Sequence, residues 1–319
     1  MEPGEAVIVE PAWSNISSSL HFLNGTVASL SGPPGPTYTL LDGTAAYGEV
    51  LFGSTTNCYD GNGSSCYAMQ VGGPRPATHW DAEFQEDLSG GSNVWKLHVG
   101  ESFTDVPRTQ PFYKKIETLL HNGITSGCTE TAFCPDAVVN RDQMAIFVAK
   151  ALAGAGDLVP RSGVVGASAY DCSVGGTSLF SDVAPSDSFC RHVHYLASQN
   201  VAQGCAPGKY CPGQTVTRDA MASLLAKAIV TPGGGNAVPT SYGPDPVTGL
   251  SYSCAAGSPS IHFTDVPASN PFCKHVHYLW AKGIVAGCSA TQYCPTLTVA
   301  RGAMAKFLAN AFALSLYGP

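Results

Sequence analysis

From about residue 101 onward, apolar residues recur at the three-and-four spacing of amphipathic helices. Phe272, Val276, Leu279 and Trp280 fall at i, i+4, i+7 and i+8, one helical face. Met304, Phe307, Leu308 and Phe312 likewise share one face. Before residue 100 the pattern is different. Short apolar runs at 6–9, 37–41, 48–52 and 66–71 are bounded by Gly, Pro, Asn and Ser, and 94–99 alternates in part. Six to eight short strands in such a span predict an immunoglobulin-like β-sandwich over residues 1–100.

The helical part is written three times. Phe103-Thr-Asp-Val, Phe180-Ser-Asp-Val and Phe263-Thr-Asp-Val open the copies, 77 and 83 residues apart. Each copy continues with a first helix, then a Gly-Cys loop. It closes on a second helix opening with Asn140-Arg-Asp-Gln-Met-Ala, Thr217-Arg-Asp-Ala-Met-Ala or Ala300-Arg-Gly-Ala-Met-Ala. The Gly before each loop suits a helix C-terminus. Asn140 with Gln143 forms a capping box, Thr217 caps without a partner, and Ala300 leaves its helix short of a cap by about 1 kcal/mol. The excess length lies in Gly/Pro/Ser-rich linkers, chiefly 153–179 and 230–260. The organisation expected is therefore 1–100, 101–153 (repeat 1), 154–230 (linker and repeat 2) and 231–319 (linker and repeat 3). A lone pair of helices exposes an apolar stripe on each, whereas three copies around a shared axis bury them.

Twelve cysteines fall in step with the repeats. Gly-Cys-x5-Cys-Pro occurs at Cys128/Cys134, Cys205/Cys211 and Cys288/Cys294, while Cys172/Cys190 and Cys254/Cys273 bracket the starts of repeats 2 and 3. Cys58 and Cys66 make a local pair. Even numbers at repeating spacings predict six disulfides, Cys58–Cys66, Cys128–Cys134, Cys172–Cys190, Cys205–Cys211, Cys254–Cys273 and Cys288–Cys294, and an oxidising compartment. A closed zinc site needs four ligands, and each loop offers two, so no metal is expected.

These motifs, Phe-x-Asp-Val, a first helix, Gly-(Ile/Val)-x-x-Gly, an aromatic-x-Pro and Thr-Arg-x-x-(Met/Phe)-Ala, resemble three S-layer homology modules over about residues 101–315. The resemblance implies a pseudo-threefold helical bundle that anchors exported proteins to cell-wall polysaccharide. It also implies that Arg141, Arg218 and Arg301 sit at or near the polymer grooves. The sequence departs from the family pattern where Cys follows the loop Gly, and where Gln143, Ala220 and Ala303 replace the Glu of the Thr-Arg motif. It departs again where Phe112, Phe189 and Phe272 replace an early Trp. The fold class expected is α+β and multidomain.

Charge sharpens the division. Residues 1–100 carry ten acids and two bases, and 101–319 carry thirteen acids and fourteen bases, within a net −7. An acidic chain is no partner for nucleic acid, and no run is apolar enough to span a membrane. The opening Met1-Glu-Pro-Gly-Glu lacks the features of a signal peptide, so an exported protein would have this chain as a mature portion or a fragment. His192/His194 and His275/His277 sit two apart on a helix and face opposite ways, which rules out joint chelation and suggests solvated or inter-repeat polar positions. Asp60-Gly-Asn-Gly reads as a turn rather than a calcium loop. Trp80-Asp81-x-Glu83 with Glu86 and Asp87 reads as a solvated acidic face. Asn15-Ile-Ser, Asn24-Gly-Thr and Asn62-Gly-Ser match the glycosylation sequon, and Leu158-Val-Pro-Arg-Ser162 resembles a thrombin-type cleavage sequence. Asp105, Asp182 and Asp265 are placed to satisfy backbone amides before the first helix. No nucleophile elbow, metalloprotease helix, haem motif or phosphate loop occurs. The expectation is a non-enzymatic, extracellular surface protein without cofactors, attached to cell-wall polysaccharide. The alternative is a self-assembling subunit of a surface layer or filament, with like subunits as partners and a homo-oligomeric state.

Overall fold

The computed structural model describes the chain except residues 2, 59–64, 74–80, 90, 130, 155–157, 231–236, 258 and 318–319. Asp60-Gly-Asn-Gly, Asn62 and Trp80 lie outside the described residues. The structure is mixed α and β, with two compact units. The first comprises 1–110, 128–132 and 317–319, and the second 111–127 and 133–316.

The first unit is built from nine strands among the described residues: β1 (Ala6–Val9), β2 (Ala12–Ser14), β3 (His21–Ser31), β4 (Thr37–Asp42), β5 (Thr44–Val50), β6 (Thr55–Asn57), β7 (Tyr67–Gly72), β8 (Asp81–Leu88) and β9 (Gly91–His98). They form a four-stranded sheet ordered β5-β3-β8-β9, a three-stranded sheet ordered β1-β7-β4, and the pair β2-β6. One core joins the larger sheets: Val27, Tyr47 and Phe84 from the first meet Tyr67, Met69 and Val71 from the second, with Cys58 and Cys66 beside them. Cys58 and Cys66 are bonded to each other. The pleat sends alternate residues of β8 inward, Ala82, Phe84 and Glu86 in turn.

Glu86 therefore corrects the reading of a solvated acidic face, because it is fully buried. Its Oε2 accepts from Trp13 Nε1 (2.9 Å) and Trp95 Nε1 (2.8 Å), and its Oε1 accepts from Tyr67 Oη (2.7 Å) and from the Tyr47 hydroxyl. One carboxylate thus ties β5, β7, β8, β9 and β2 together, which is how a buried charge becomes tolerable. Burial and the facing carboxylate push both tyrosine hydroxyls far above their ordinary range. Asn15 is also turned inward. Its amide nitrogen donates to Ser19 O and Val50 O, both at 2.8 Å, so its sequon presents no free acceptor nitrogen, while Asn24 is exposed.

The second unit holds three helix–loop–helix segments, α1 (Tyr113–His121) with α2 (Arg141–Ala153), α3 (Cys190–Ser198) with α4 (Arg218–Val230), and α5 (Cys273–Ala281) with α6 (Arg301–Ala311). Each first helix hides an equivalent leucine, Leu119, Leu196 or Leu279, none of them exposed. Truncating any one to Ala should cost about 2–5 kcal/mol. Positive-φ residues end the first helices: Gly123 (65°), Asn200 (55°) and Gly283 (70°). The packing crosses from repeat to repeat, with α2 against α3, α4 against α5, and α6 against α1.

The linkers are ordered in part. Residues of the first form a hairpin, β10 (Ser162–Val165) with β11 (Ser168–Asp171), and those of the second form β12 (Ser241–Tyr242) with β13 (Tyr252–Ser253). The Cys172–Cys190 and Cys254–Cys273 disulfides fasten these hairpins to the starts of α3 and α5. Asp245 adds a second tie in the later linker. It is buried, pairs with Lys282 at 2.9 Å and accepts from Tyr242 Oη, which holds its carboxyl well below the usual carboxylate range. Cys205–Cys211 and Cys288–Cys294 close their loops, and Cys128 and Cys134 are likewise disulfide-bonded, so no cysteine is free.

Candidate functional site: interlocking joints and basic seams

Three valines mark where the repeats meet. Val139 N donates to Val299 O (2.9 Å), Val299 N to Val216 O (3.0 Å), and Val216 N to Val139 O (2.8 Å), a closed cycle of backbone hydrogen bonds. The second helices begin from this cycle, and their first amides are taken by another repeat rather than by side-chain caps. Arg141 and Asp142 donate to Gln214 O and Pro212 O. Arg218 and Asp219 donate to Leu297 O and Pro295 O, and Arg301 and Gly302 to Ala137 O and Pro135 O. Ala300 thus needs no capping side chain, and the deficit expected of α6 is offset by its neighbour. The Thr217 hydroxyl binds the Asp219 carboxylate, which accepts from Ala220 N. The Asn140–Gln143 box is present, with Asn140 N donating to Gln143 Oε1. Gly302 stands where the other repeats have Asp142 and Asp219, because a Cβ there would meet Phe112 Cδ2 at 2.6 Å.

The three arginines of the Thr-Arg motif sit in these joints. Arg141 Nε donates to Tyr210 O (2.9 Å) with its guanidinium 4.7 Å from the centre of the Tyr210 ring. Arg218 Nε donates to Tyr293 O (2.8 Å) over that ring at 4.5 Å, and a second nitrogen reaches Ala286 O (2.8 Å). Arg301 Nε donates to Phe133 O (2.7 Å) and stacks on Phe133 at 4.7 Å. The tyrosines answer: Tyr210 Oη donates to Arg141 O and Tyr293 Oη to Arg218 O, both at 3.1 Å. Phe133 has no hydroxyl to do so. Arg301 is 4% exposed.

The Asp of Phe-x-Asp-Val supports the same loops from within. Asp182 accepts from Tyr210 N and Cys211 N (2.8 Å each), and Asp265 from Tyr293 N (2.8 Å) and Cys294 N (2.7 Å). These carboxylates do satisfy backbone amides, but those of the Cys-Pro loop rather than of the first helix. Their partners are strained residues: Cys211 and Cys294 take φ of 59° and 57°, a left-handed conformation that costs a side-chain-bearing residue energy. For Asp182, burial pushes the carboxyl up and the two amide donors pull it down harder, leaving it below its ordinary range.

The histidines are buried, not solvated. His194 and His277 point into their own repeats. His194 Nδ1 donates to Cys190 O (2.9 Å) and its Nε2 accepts from Leu179 N (2.9 Å). His277 repeats this with Cys273 O (2.9 Å) and Phe263 N (3.1 Å). Both lie near disulfide sulfurs, yet the sulfurs are bonded and the ring nitrogens used, so the cluster is structural.

His192 and His275 point the other way, into the seams between repeats. They are 3% and 7% exposed, and neither ring nitrogen completes a hydrogen bond among the described residues. The backbone of Ser188 or Pro271 approaches each ring in a weak hydrogen-bonding contact that favours the charged form. The His192 imidazole is pushed down to about 4 by burial and then by Arg191 and Lys150. The His275 imidazole is pushed down to about 4 by burial and then by Lys227 and Lys274. In the third seam Lys115, at the position of these histidines, donates to Asn310 Oδ1 (3.1 Å) and is lowered by burial and by Lys306. Every seam thus gathers cations, and α3, α5 and α6 contain no acidic residue.

The helical unit is thus a set of interlocked helix–loop–helix segments with cations gathered along their seams. Residues 102–145 and 179–222 match the S-layer homology domain model. Such domains generally anchor proteins to cell-wall polysaccharide at the cell surface. No curated protein matches the chain. No helix among the described residues is long and apolar enough to cross a membrane.

Proposed function

We propose that the chain is a non-enzymatic, extracellular attachment protein whose helical repeats hold an anionic cell-wall polysaccharide along the seams. In this reading residues 263–305 form a third S-layer homology module, and the closed valine cycle supports a pseudo-threefold bundle. The first unit, with two sheets sharing one core, is an immunoglobulin-like sandwich that serves as the displayed module. The observation that carries the reading is the recurrence of cations along the seams, Arg191 with Lys150 and Lys274 with Lys227, beside buried histidines whose ring nitrogens complete no hydrogen bond among the described residues. A buried polar group without a partner costs about 1–3 kcal/mol, which a ligand carrying acceptor oxygens would relieve. Arg141, Arg218 and Arg301, the residues the family resemblance assigns to the polymer, are engaged in the joints, so the seam cations take the contact role.

Co-sedimentation of the oxidised chain with purified cell-wall sacculi tests this. The unmodified protein should pellet, salt should release it, and Lys227→Gln/Lys274→Gln should weaken pelleting about tenfold with helicity unchanged. A protein that stays in the supernatant removes the anchoring reading. Pelleting without any wall favours the second reading, a self-assembling subunit. That reading draws on exposed apolar side chains of the first unit such as Phe22 and Phe52.

A further inference from the structure

We infer that the first unit carries a separate binding site, a pocket for an uncharged ligand that presents a flat, apolar ring face. A cavity of about 350 Å³ opens among Trp13, Ile16, His21, Leu23, Leu88 and Ser92. That volume is within the range of small-molecule sites.

Its wall is pre-organised. The Trp13 indole is fixed by its Nε1 bond to buried Glu86 and by edge-to-face packing on Trp95, with centroids 6.0 Å apart at 86°. A ring held from its far edge cannot fold away to fill the space it borders. The lip is fixed as well. Asn15 Oδ1 accepts from Ser17 N (3.0 Å) and Ser17 Oγ (2.8 Å), and His21 Nε2 lies 2.9 Å from Ser17 Oγ. This turn holds Ile16 out at the rim, 98% exposed.

The chemistry of the occupant follows from what the pocket lacks. Its rim polar groups already bond one another, so they offer little to a charged or strongly hydrogen-bonding ligand. Among the described residues no lysine or arginine lines it, and the ten acids and two bases of residues 1–100 repel anions. Trp13, Leu23, Leu88 and Ile16 instead favour burial of an apolar face, at roughly 25 cal/mol per Å². An aromatic ring and the C–H face of a neutral hexose share this chemistry. The site is distinct from the seams of the helical unit, and the inference does not rest on their function.

The test uses the full oxidised chain and the neutral fluorophore N-phenyl-1-naphthylamine. Fluorescence should rise saturably to one equivalent. Ile16→Asp, at a solvent-exposed position, should weaken binding at least tenfold. Val174→Asp, equally exposed in the helical unit, should leave it unchanged. Displacement by indole identifies an aromatic occupant, and displacement by methyl glucoside a saccharide. No saturable signal, displacement by neither competitor, or equal loss in the two variants would overturn the inference.

Discussion

Acidification from pH 7.5 to 5 should destabilise the helical unit by about 4 kcal/mol through His192 and His275 alone. In the unfolded chain each imidazole titrates near 6.5. In the folded unit each stays neutral down to about 4, because burial and the flanking cations oppose a new charge. As the pH falls below about 6.5 the unfolded chain takes up two protons that the folded unit refuses, and stability declines until about 4, where the folded rings charge as well. At pH 5 the mismatch is about 2 kcal/mol per histidine by proton linkage. His194 and His277, also held low by burial, add to the loss. The assay is urea denaturation of the oxidised chain followed by far-ultraviolet circular dichroism, which reports the helices, between pH 7.5 and 5. His192→Leu/His275→Leu should flatten the dependence by about 4 kcal/mol and should lose little stability at pH 7.5, since the nitrogens removed complete no full hydrogen bond among the described residues. An unchanged slope in the double variant, or a flat profile in the parent, would refute the reasoning.

Phe133→Tyr should stabilise the helical unit by about 1 kcal/mol, by giving Arg301 the return hydrogen bond that Tyr210 and Tyr293 make in the other joints. A lowered urea midpoint would show that the third joint cannot seat the hydroxyl. Asp182→Ala should cost about 2–4 kcal/mol by leaving the Tyr210 and Cys211 amides without their acceptor at a strained turn. Asp182→Asn should recover part of that, and equal losses in the two variants would count against the carboxylate's role. Glu86→Gln should destabilise the first unit by about 2–4 kcal/mol, because an amide nitrogen must face either the two indoles or the two tyrosine hydroxyls. Tryptophan fluorescence during denaturation reads the change, and an unaltered midpoint would sink the idea.

The helices and their periodicity were legible because the same apolar stripe is written three times, so an accident in one copy is corrected by the others. Glu86 was hidden by its charge, since a count of acids sees a cluster while the pleat of β8 sees an inward position after Ala82 and Phe84. The period of two was the available signal. The linkers read only as Gly-, Pro- and Ser-rich, although the cysteine pairs bracketing the starts of repeats 2 and 3 mark the stapled hairpins. The joints could not be read at all. Arg301 meets Phe133 across 168 residues, and Arg218 meets Tyr293 across 75. No local pattern specifies which copy of a loop receives which copy of a side chain. The histidine pairs were placed correctly on opposite faces, but only packing decides that both faces are covered.

On the proposed threefold reading, the valine cycle also bears on how many copies the assembly would contain. In a linear solenoid each added repeat stacks on the last, and the ends need special caps. On that reading the third segment hands its arginine back to the first, and the backbone donors and acceptors of the valine cycle are all used. A fourth copy would find no open acceptor, and deletion of one would leave an unfilled donor and an unfilled acceptor at once. On that reading the linkers between copies could lengthen without penalty, as the 77- and 83-residue spacings allow, while ring closure would hold the number at three.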